Sequence, residues 1–295
     1  MQIDRRQFMT AAMASTFAGT ALLKAQPTTS KVDPLAVVPL GKSGLRVTRV
    51  GIGTGFRGGM RSSNQKRLGP EKFDAHINHA WDRGIRFFDC ADHYGTHTDL
   101  ARALKGKPRQ DYVIVSKIWV RPGALPEKER PDANVVVDRF RKELSTDYID
   151  LVQLHCMENP AWPQEWKRQM EILADLKARG IIKGHGVSVH SLGALQACAT
   201  TPWVDVVHAR ANAYGNAMDA KPPVVAPVLK QIHDAGKGII GMKLIGNGSF
   251  RNDPAKRLES IKYVLSLQTV DAMIVGFETP QEIDDWLKML SQAMA

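Results

Sequence analysis

The sequence predicts an α/β fold, a (β/α)8 TIM barrel preceded by an N-terminal β-hairpin. Three observations predict it: eight short β-rich runs that alternate with helical patterns after residue 37, glycines placed just past the helical patterns, and no composition shift that would divide residues 37–295. Repeated βα units demand parallel strands joined by right-handed crossovers, and about 250 residues is the usual length of one such barrel. The main rival is a doubly wound open sheet, which wants a G-x-G-x-x-G turn after its first strand. Gly51-Ile52-Gly53-Thr54-Gly55 is Gly-rich but misplaces the third glycine.

Taken in chain order, residues 1–25 read as an address rather than as part of the fold. Asp4-Arg5-Arg6-Gln7-Phe8-Met9 precedes a mild apolar run over residues 11–23, the layout of a secretory signal. The arginine pair followed by Gln7 and Phe8 resembles a twin-arginine signal, which implies export of folded cargo to the periplasm by the twin-arginine machinery. Cleavage is expected near Ala25. Leu23-Lys24-Ala25 lacks the small residue usual two positions before the terminal Ala, so an uncleaved anchor is the alternative. Residues 26–36 read as a linker, and residues 37–295 as the barrel.

The hairpin is expected from Val38-Pro39-Leu40, a turn at Lys42-Ser43-Gly44, and Leu45-Arg46-Val47. Eight strand-like runs then end near Gly53, Asp89, Lys117, His155, Ser188, Ala209, Leu244 and Gly276. Helical spacing separates them: Val137, Phe140 and Leu144 lie three and four apart, as do Trp166, Met170, Leu173 and Leu176. Gly84, Gly106, Gly180 and Gly236 stand where helices stop.

The formal net charge is +10, yet Lys and Arg are interspersed with acids, as in Glu127-Lys128-Glu129-Arg130. That pattern predicts a solvated basic surface and no nucleic-acid partner. No apolar run reaches the roughly 18 residues of a stable membrane span. Three cysteines, Cys90, Cys156 and Cys198, show no C-x-x-C spacing and no even-numbered framework. A monomer is expected.

Active sites of such barrels lie at the C-terminal ends of the strands. Those ends present Asp89, Lys117 and His155 on barrel strands 2, 3 and 4, with Tyr94 in the loop after strand 2. Together they suit proton transfer to a carbonyl oxygen. A phenol with pKa about 10 is expected to be acidified by a neighbouring ammonium, which a carboxylate holds charged and in place. A histidine donates to the substrate oxygen and orients it.

Phe87-Phe88-Asp89-Cys90-Ala91-Asp92-His93-Tyr94-Gly95, Val115-Ser116-Lys117-Ile118-Trp119 and Leu151-Val152-Gln153-Leu154-His155 resemble, in order, three motifs of the aldo-keto reductase family. The similarity runs over the chain after about residue 37. The resemblance implies hydride transfer between NADP or NAD and a small carbonyl or alcohol substrate. Tyr94 would be the general acid, Lys117 and Asp89 would tune it, His155 would position the oxygen, and Phe56 and Trp119 would flank the substrate.

The cofactor half matches less closely. The resemblance assigns it Gly53 and Thr54 near nicotinamide, Ser188 on the carboxamide, His208 where Gln is usual, and Met242 where a stacking Tyr is usual. Lys243, Leu244, Gly276, Phe277, Glu278, Thr279 and Glu282 complete the set. Val189 follows Ser188 in place of the usual Asn, with His190 next, and Asn212 keeps its spacing. Gly276 stands in for a phosphate-clasping Lys, and Glu282 for an Arg common in NADP-specific members. Thr279-x-x-Glu282 with Pro280 also reads as a helix capping box. NADP is therefore expected to hold no more than a modest advantage over NAD.

His93, His190 and His208 join His155 near the strand ends, but no single element carries ligand spacing, so no metal is expected. Strand alternation predicts that Cys90 and Cys156 face the helices. Short loops after the strands and the lack of a long C-terminal tail predict an open site for a small or sugar-like carbonyl. The competing readings are a nucleotide-binding barrel without turnover and a metal-dependent barrel lyase or hydrolase.

Overall fold

Period-two alternation along the strands builds the centre of the molecule. A computed structural model describes residues 33–295; the expected signal and most of the linker lie outside the described residues. The hairpin forms from β1 (Val37–Pro39) and β2 (Arg46–Thr48), paired antiparallel with Val38 opposite Val47. Eight parallel strands follow: β3 (Val50–Gly53), β4 (Phe87–Asp89), β5 (Val113–Ile118), β6 (Ile149–Met157), β7 (Ile182–Val189), β8 (Val206–Arg210), β9 (Gly238–Met242) and β10 (Ala272–Val275). They pair in sequence order, and β10 closes the barrel against β3 with Ile274 opposite Gly51.

Alternate residues on each strand point to opposite faces. Phe87, Val115, Leu151, Val206, Ile240 and Ile274 therefore fill the barrel interior, and Leu40, Leu45 and Val47 of the hairpin region pack onto the same cluster. The intervening residues, Phe88, Ile114, Val152, Val207 and Ile239, meet the helices in a second, larger cluster. One further alternation above the interior layer lie Asp89, Lys117 and His208. A single residue of slippage on any strand would bury the wrong set.

The expected helices form with small shifts at their ends. Val137 and Phe140 lie inside the helix Ala133–Glu143, with Leu144 as its C-cap; Met170, Leu173 and Leu176 lie inside Lys167–Ala178, with Trp166 as its N-cap. Phe140 is fully buried, and cutting it to Ala would cost about 3–5 kcal/mol. Gly84, Gly180 and Gly236 take left-handed φ values just past helix ends, a conformation that penalises a side chain. Strand β9 ends at Met242, two residues before the expected Leu244, because Lys243 turns left-handed at φ 60°. No helix among the described residues is long and apolar enough to cross a membrane.

Candidate active site

Three charged or polar groups form the floor of the site. The Lys117 ammonium is bonded to Asp89 Oδ1 and to the Cys90 carbonyl at 3.1 Å. His208 Nε2 lies 3.2 Å from the same Asp89 oxygen, a close contact too poorly aligned to count as a full hydrogen bond. All three side chains are buried. Burial alone would hold Asp89 protonated; Lys117 and His208 outweigh it and keep the carboxyl below the usual carboxylate range. Burial likewise pulls the His208 imidazole down against Asp89's attraction.

Tyr94 ends a 3-10 turn, Asp92–Tyr94, that starts three residues past β4. The turn is pinned from below: buried Asp92 accepts from Arg61 Nε at 2.9 Å and from Arg139 at 2.6 Å. The Tyr94 ring lies flat on Gly55, where a Cβ would come within 2.3 Å of it. The Gly-rich turn after β3 thus makes room for the tyrosine, whatever it does for a ligand. Lys117 Nζ lies 5.2 Å from the Tyr94 ring centroid and spends its donors on Asp89 and Cys90. Burial first and Asp89 second raise the phenol pKa well above 10. The sequence predicted a phenol acidified by lysine. Here the phenol holds its proton, because burial and the nearby Asp89 carboxylate both disfavour the phenolate in the resting site.

His155 Nε2 lies 3.4 Å from the Tyr94 hydroxyl. Burial, and then Lys117 and the other imidazoles, push His155 well below 6.5, so it is neutral and one ring nitrogen carries a hydrogen to donate. Trp119 meets His155 edge-on at 5.4 Å and stacks on His93 at 4.5 Å. Phe56 sits elsewhere, against Gly248 and Gly276. Phe56 lines both the main cleft beside Tyr94 and the cavity next to it, whereas Trp119 packs on His93 and His155.

A cleft of about 610 Å³ of empty space opens beside this constellation, running from Tyr94, Lys117 and His208 past Gly53 to Met242, Lys243, Leu244 and Gly276. A second cavity of about 340 Å³ adjoins it, between Phe56, Gly276, Phe277, Glu282 and Arg251. The Lys243 ammonium lines the cleft, forms no ion pair among the described residues, and has the Asn247 amide oxygen at 3.1 Å. A part-buried cation at the cleft with no acidic partner of its own among the described residues fits a bound phosphate group.

Several cofactor assignments fall into place differently. Thr54 is fully buried and does not line the cleft; its hydroxyl donates to the Asp89 carbonyl at 2.9 Å and meets Thr96 at 2.7 Å. Ser188 Oγ accepts from the Cys156 N–H at 2.8 Å and is equally enclosed. Both hold the frame of the site. Asn212 likewise bonds the Asn216 and Lys243 carbonyls. Thr279 caps the helix Pro280–Met294, accepting from Glu282 N–H at 3.3 Å, and the Glu282 carboxylate accepts from Glu278 N–H at 2.8 Å. Glu278 and Glu282 also both bind Arg251. The phenylalanine of the segment, Phe277, is buried edge-on against Trp286.

Cys90 packs among the helices as alternation predicts, but Cys156 does not. Strand β6 shifts register between Leu154 and Met157, and Cys156 takes φ 66°. That irregularity turns its thiol back to the rim, where it packs with Trp119 and Leu125 and lies 2.8 Å from His190 Nδ1. An extra residue in one strand breaks the alternation on which the expectation rested.

With this geometry in hand, the model of the Aldo/keto reductase family matches residues 50–260. The chain belongs to the aldo/keto reductase family. This aldo/keto reductase is 27% identical to a solved Pseudomonas aeruginosa aldo-keto reductase, with a TM-score of 0.72 over 90% of this chain and 99% of that one. It is 24% identical to a D-threo-aldose 1-dehydrogenase of a Pseudomonas species, over 77% of this chain and 74% of the relative. It is 25% identical to the NADH-specific methylglyoxal reductase of Escherichia coli, over 62% of this chain and 60% of that relative. The protein is an oxidoreductase of the NAD(P)-dependent kind.

Sequence reading missed two parts of the enzyme's site. Arg251 follows β9 in a short turn before a helix, and nothing in its neighbours signals that it meets Glu278 and Glu282. The grouping of Cys156 with His190 depended on the irregularity in β6, for which the left-handed cysteine leaves no mark in the sequence.

Proposed function

We propose that this enzyme interconverts a small or aldose-like carbonyl and the corresponding alcohol, with Tyr94 as general acid and with NADP holding at most a modest advantage over NAD. The observation that carries the reading is the convergence of a protonated Tyr94, a neutral His155 and the Asp89–Lys117 pair at one end of the cleft. A bound nicotinamide would supply hydride to the carbonyl carbon. His155 donates a hydrogen bond to the carbonyl oxygen and orients it beside Tyr94. The Tyr94 hydroxyl delivers its proton to that oxygen as negative charge develops there. Lys117, held by Asp89 within reach of the Tyr94 ring, stabilises the phenolate left behind. Gly53 and Gly276 keep the wall of the cleft free of side chains, and Lys243 supplies charge for a pyrophosphate.

Cofactor preference turns on Arg251. Arg251 and Arg257 both line the cavity at Glu282, and two carboxylates already bracket Arg251. A ribose phosphate arriving there meets Glu278 and Glu282 as well as Arg251, so it gains little over a free ribose hydroxyl. The names of two relatives support the chemistry: one is an aldose dehydrogenase and one an NADH-specific reductase of methylglyoxal. Fluorescence titration with NADH and with NADPH at one salt concentration tests the preference, followed by a panel of aldoses and small aldehydes. The two dissociation constants should agree within about tenfold. NADPH binding more than about 100-fold tighter, roughly 2.7 kcal/mol, would contradict it.

Export rests on the sequence Arg5-Arg6-Gln7-Phe8. We propose that the twin-arginine machinery delivers the folded enzyme to the periplasm.

A further inference from the structure

The segment from Asp89 to Tyr94 carries two of the four reacting or charge-bearing groups, and a third, Lys117, sits on the neighbouring strand. Asp89 and the Cys90 carbonyl hold the Lys117 ammonium, and Tyr94 ends the turn that follows. The distance from phenol to ammonium therefore depends on how this segment lies against β5. Its start is fixed by the sheet, with Asp89 opposite Val115. Past Cys90 it leaves the sheet, and its far end is held by polar side chains instead.

Both oxygens of Asp92 are taken by arginines: Arg61 Nε donates to Oδ1 at 2.9 Å, and Arg139 donates to Oδ2 at 2.6 Å. Arg139 also donates to Glu143 Oε1 at 3.0 Å. The other Glu143 oxygen lies 2.7 Å from His97 Nδ1, and His97 Nε2 lies 2.8 Å from the Ser116 hydroxyl. Ser116 directly precedes Lys117 on β5. The contacts close a circuit: Lys117 to Asp89, along the chain to Asp92, through Arg139, Glu143 and His97 to Ser116, and back to Lys117. Asp92, His97 and Ser116 are all buried. Burial alone would raise Glu143; His97 and Arg139 outweigh it and hold that carboxyl at about 2, so it stays charged.

Arg61 braces the same turn from the loop after β3. A Cβ on Gly95, the residue after Tyr94, would come within 2.2 Å of the Arg61 carbonyl oxygen, so the two loops are in direct contact. Met60 and Arg61 take φ 52° and 55°, strained values for residues with side chains. Paired hydrogen bonds between Gly59 and Ser62, at 2.8 and 2.9 Å, keep that turn tight. The Arg61 guanidinium also binds Glu127, in the loop after Trp119. Buried ion pairs add little net stability over apolar packing, so stability alone does not account for the circuit. Asp92 does not line the catalytic cleft and can act on the reaction only through the turn that presents Tyr94.

We propose that Asp92 is a positioning residue for carbonyl reduction: tied to Arg61 and Arg139, it fixes the Tyr94 hydroxyl relative to Lys117 and His155. This rests on the reading of Tyr94 as general acid, and the test separates the two. Single-turnover reduction by the full-length protein is measured with NADH and the carbonyl that the panel identifies, beside fluorescence titration with NADH. Asp92→Asn keeps the shape and removes the charge that draws both guanidinium groups. Its rate should fall about 10- to 100-fold, as an ångström-scale misplacement does, with NADH affinity within a few-fold of parental. Arg139→Gln breaks the same circuit and should lose rate in the same way; it carries the test should Asp92→Asn fail to fold by circular dichroism. Asp138→Asn loses an exposed ion pair with Arg141 on the same helix and should keep the parental rate. In a Tyr94→Phe background neither Asp92→Asn nor Arg139→Gln should cost anything further, because no hydroxyl remains to be placed. Folded variants at the parental rate, or losses that multiply with that of Tyr94→Phe, would overturn the proposal. Near-parental turnover by Tyr94→Phe alone, or a panel in which no carbonyl is reduced, would refute the acid and the positioning role with it.

Discussion

Tyr94 keeps its proton because burial and the Asp89 carboxylate disfavour its phenolate. Its ring is enclosed by Gly55 and Gly58, and the nearest ammonium is paired with Asp89. An acid that stays protonated in the resting enzyme can release its proton when the developing alkoxide draws it out and Lys117 answers the new charge. Tyr94→Phe removes only the hydroxyl and keeps the ring on Gly55. Reduction should fall by about 10² to 10⁴, while NADH affinity stays within a few-fold of the parent. Single-turnover rates beside a fluorescence titration would show this; near-parental turnover by the Phe variant would exclude Tyr94 as the acid. Asp89, Lys117 and His155 were legible in the sequence because each lies at, or within two residues of, a strand's end. Thr54 and Ser188 were read as cofactor ligands because residue type and position say nothing about which partner a hydroxyl finds first.

Among the elements, the helix Pro70–Asp82 carries a hidden acid sensitivity. His76 lies on its inner face, 1% exposed, with neither ring nitrogen bonded. Burial holds its pKa at about 4. The folded state therefore binds fewer protons than the unfolded state between pH 6.5 and 4. Stability from this residue is fully present above about 6.5 and is lost as pH falls through that window. Between pH 7.5 and 5 the loss amounts to about 2 kcal/mol. His76→Leu should leave thermal stability at pH 7.5 equal or higher and shrink the drop in Tm on going to pH 5. An unchanged pH dependence in the Leu variant would mean that His76 is not the neutral, buried group described. The helices Ala133–Glu143 and Lys167–Ala178 were readable from their three-and-four spacing. The irregularity in β6 was not, since Leu154-His155-Cys156-Met157 continues the strand pattern through the very residue that breaks it.

At the scale of the whole molecule, the eight-stranded barrel followed from the alternation of β and helical patterns. Closure of β10 on β3 adds only geometry to that count. Which side chains meet across the mouth of the barrel was partly hidden: Arg251 reaches Glu278 and Glu282 from 27 and 31 residues away. The proposed export belongs to this scale too, because the twin-arginine route demands a finished fold. Changing Arg5 and Arg6 together to Lys keeps the charge and loses the guanidinium pair. Fractionation should find that variant folded in the cytoplasm, and normal delivery to the periplasm would refute the signal.

Hydride transfer to a carbonyl is the claim on which the rest depends, and isotope tracing tests it most directly. The purified chain is mixed with NADH carrying deuterium at nicotinamide C4, on either face in separate runs, and with an aldose or small aldehyde from the panel. One face should deliver deuterium to the carbinol carbon of the product, seen by mass spectrometry, and the other should not. Nucleotide that binds tightly while no carbonyl in the panel acquires deuterium would contradict the claim and leave a barrel that holds its cofactor without using it.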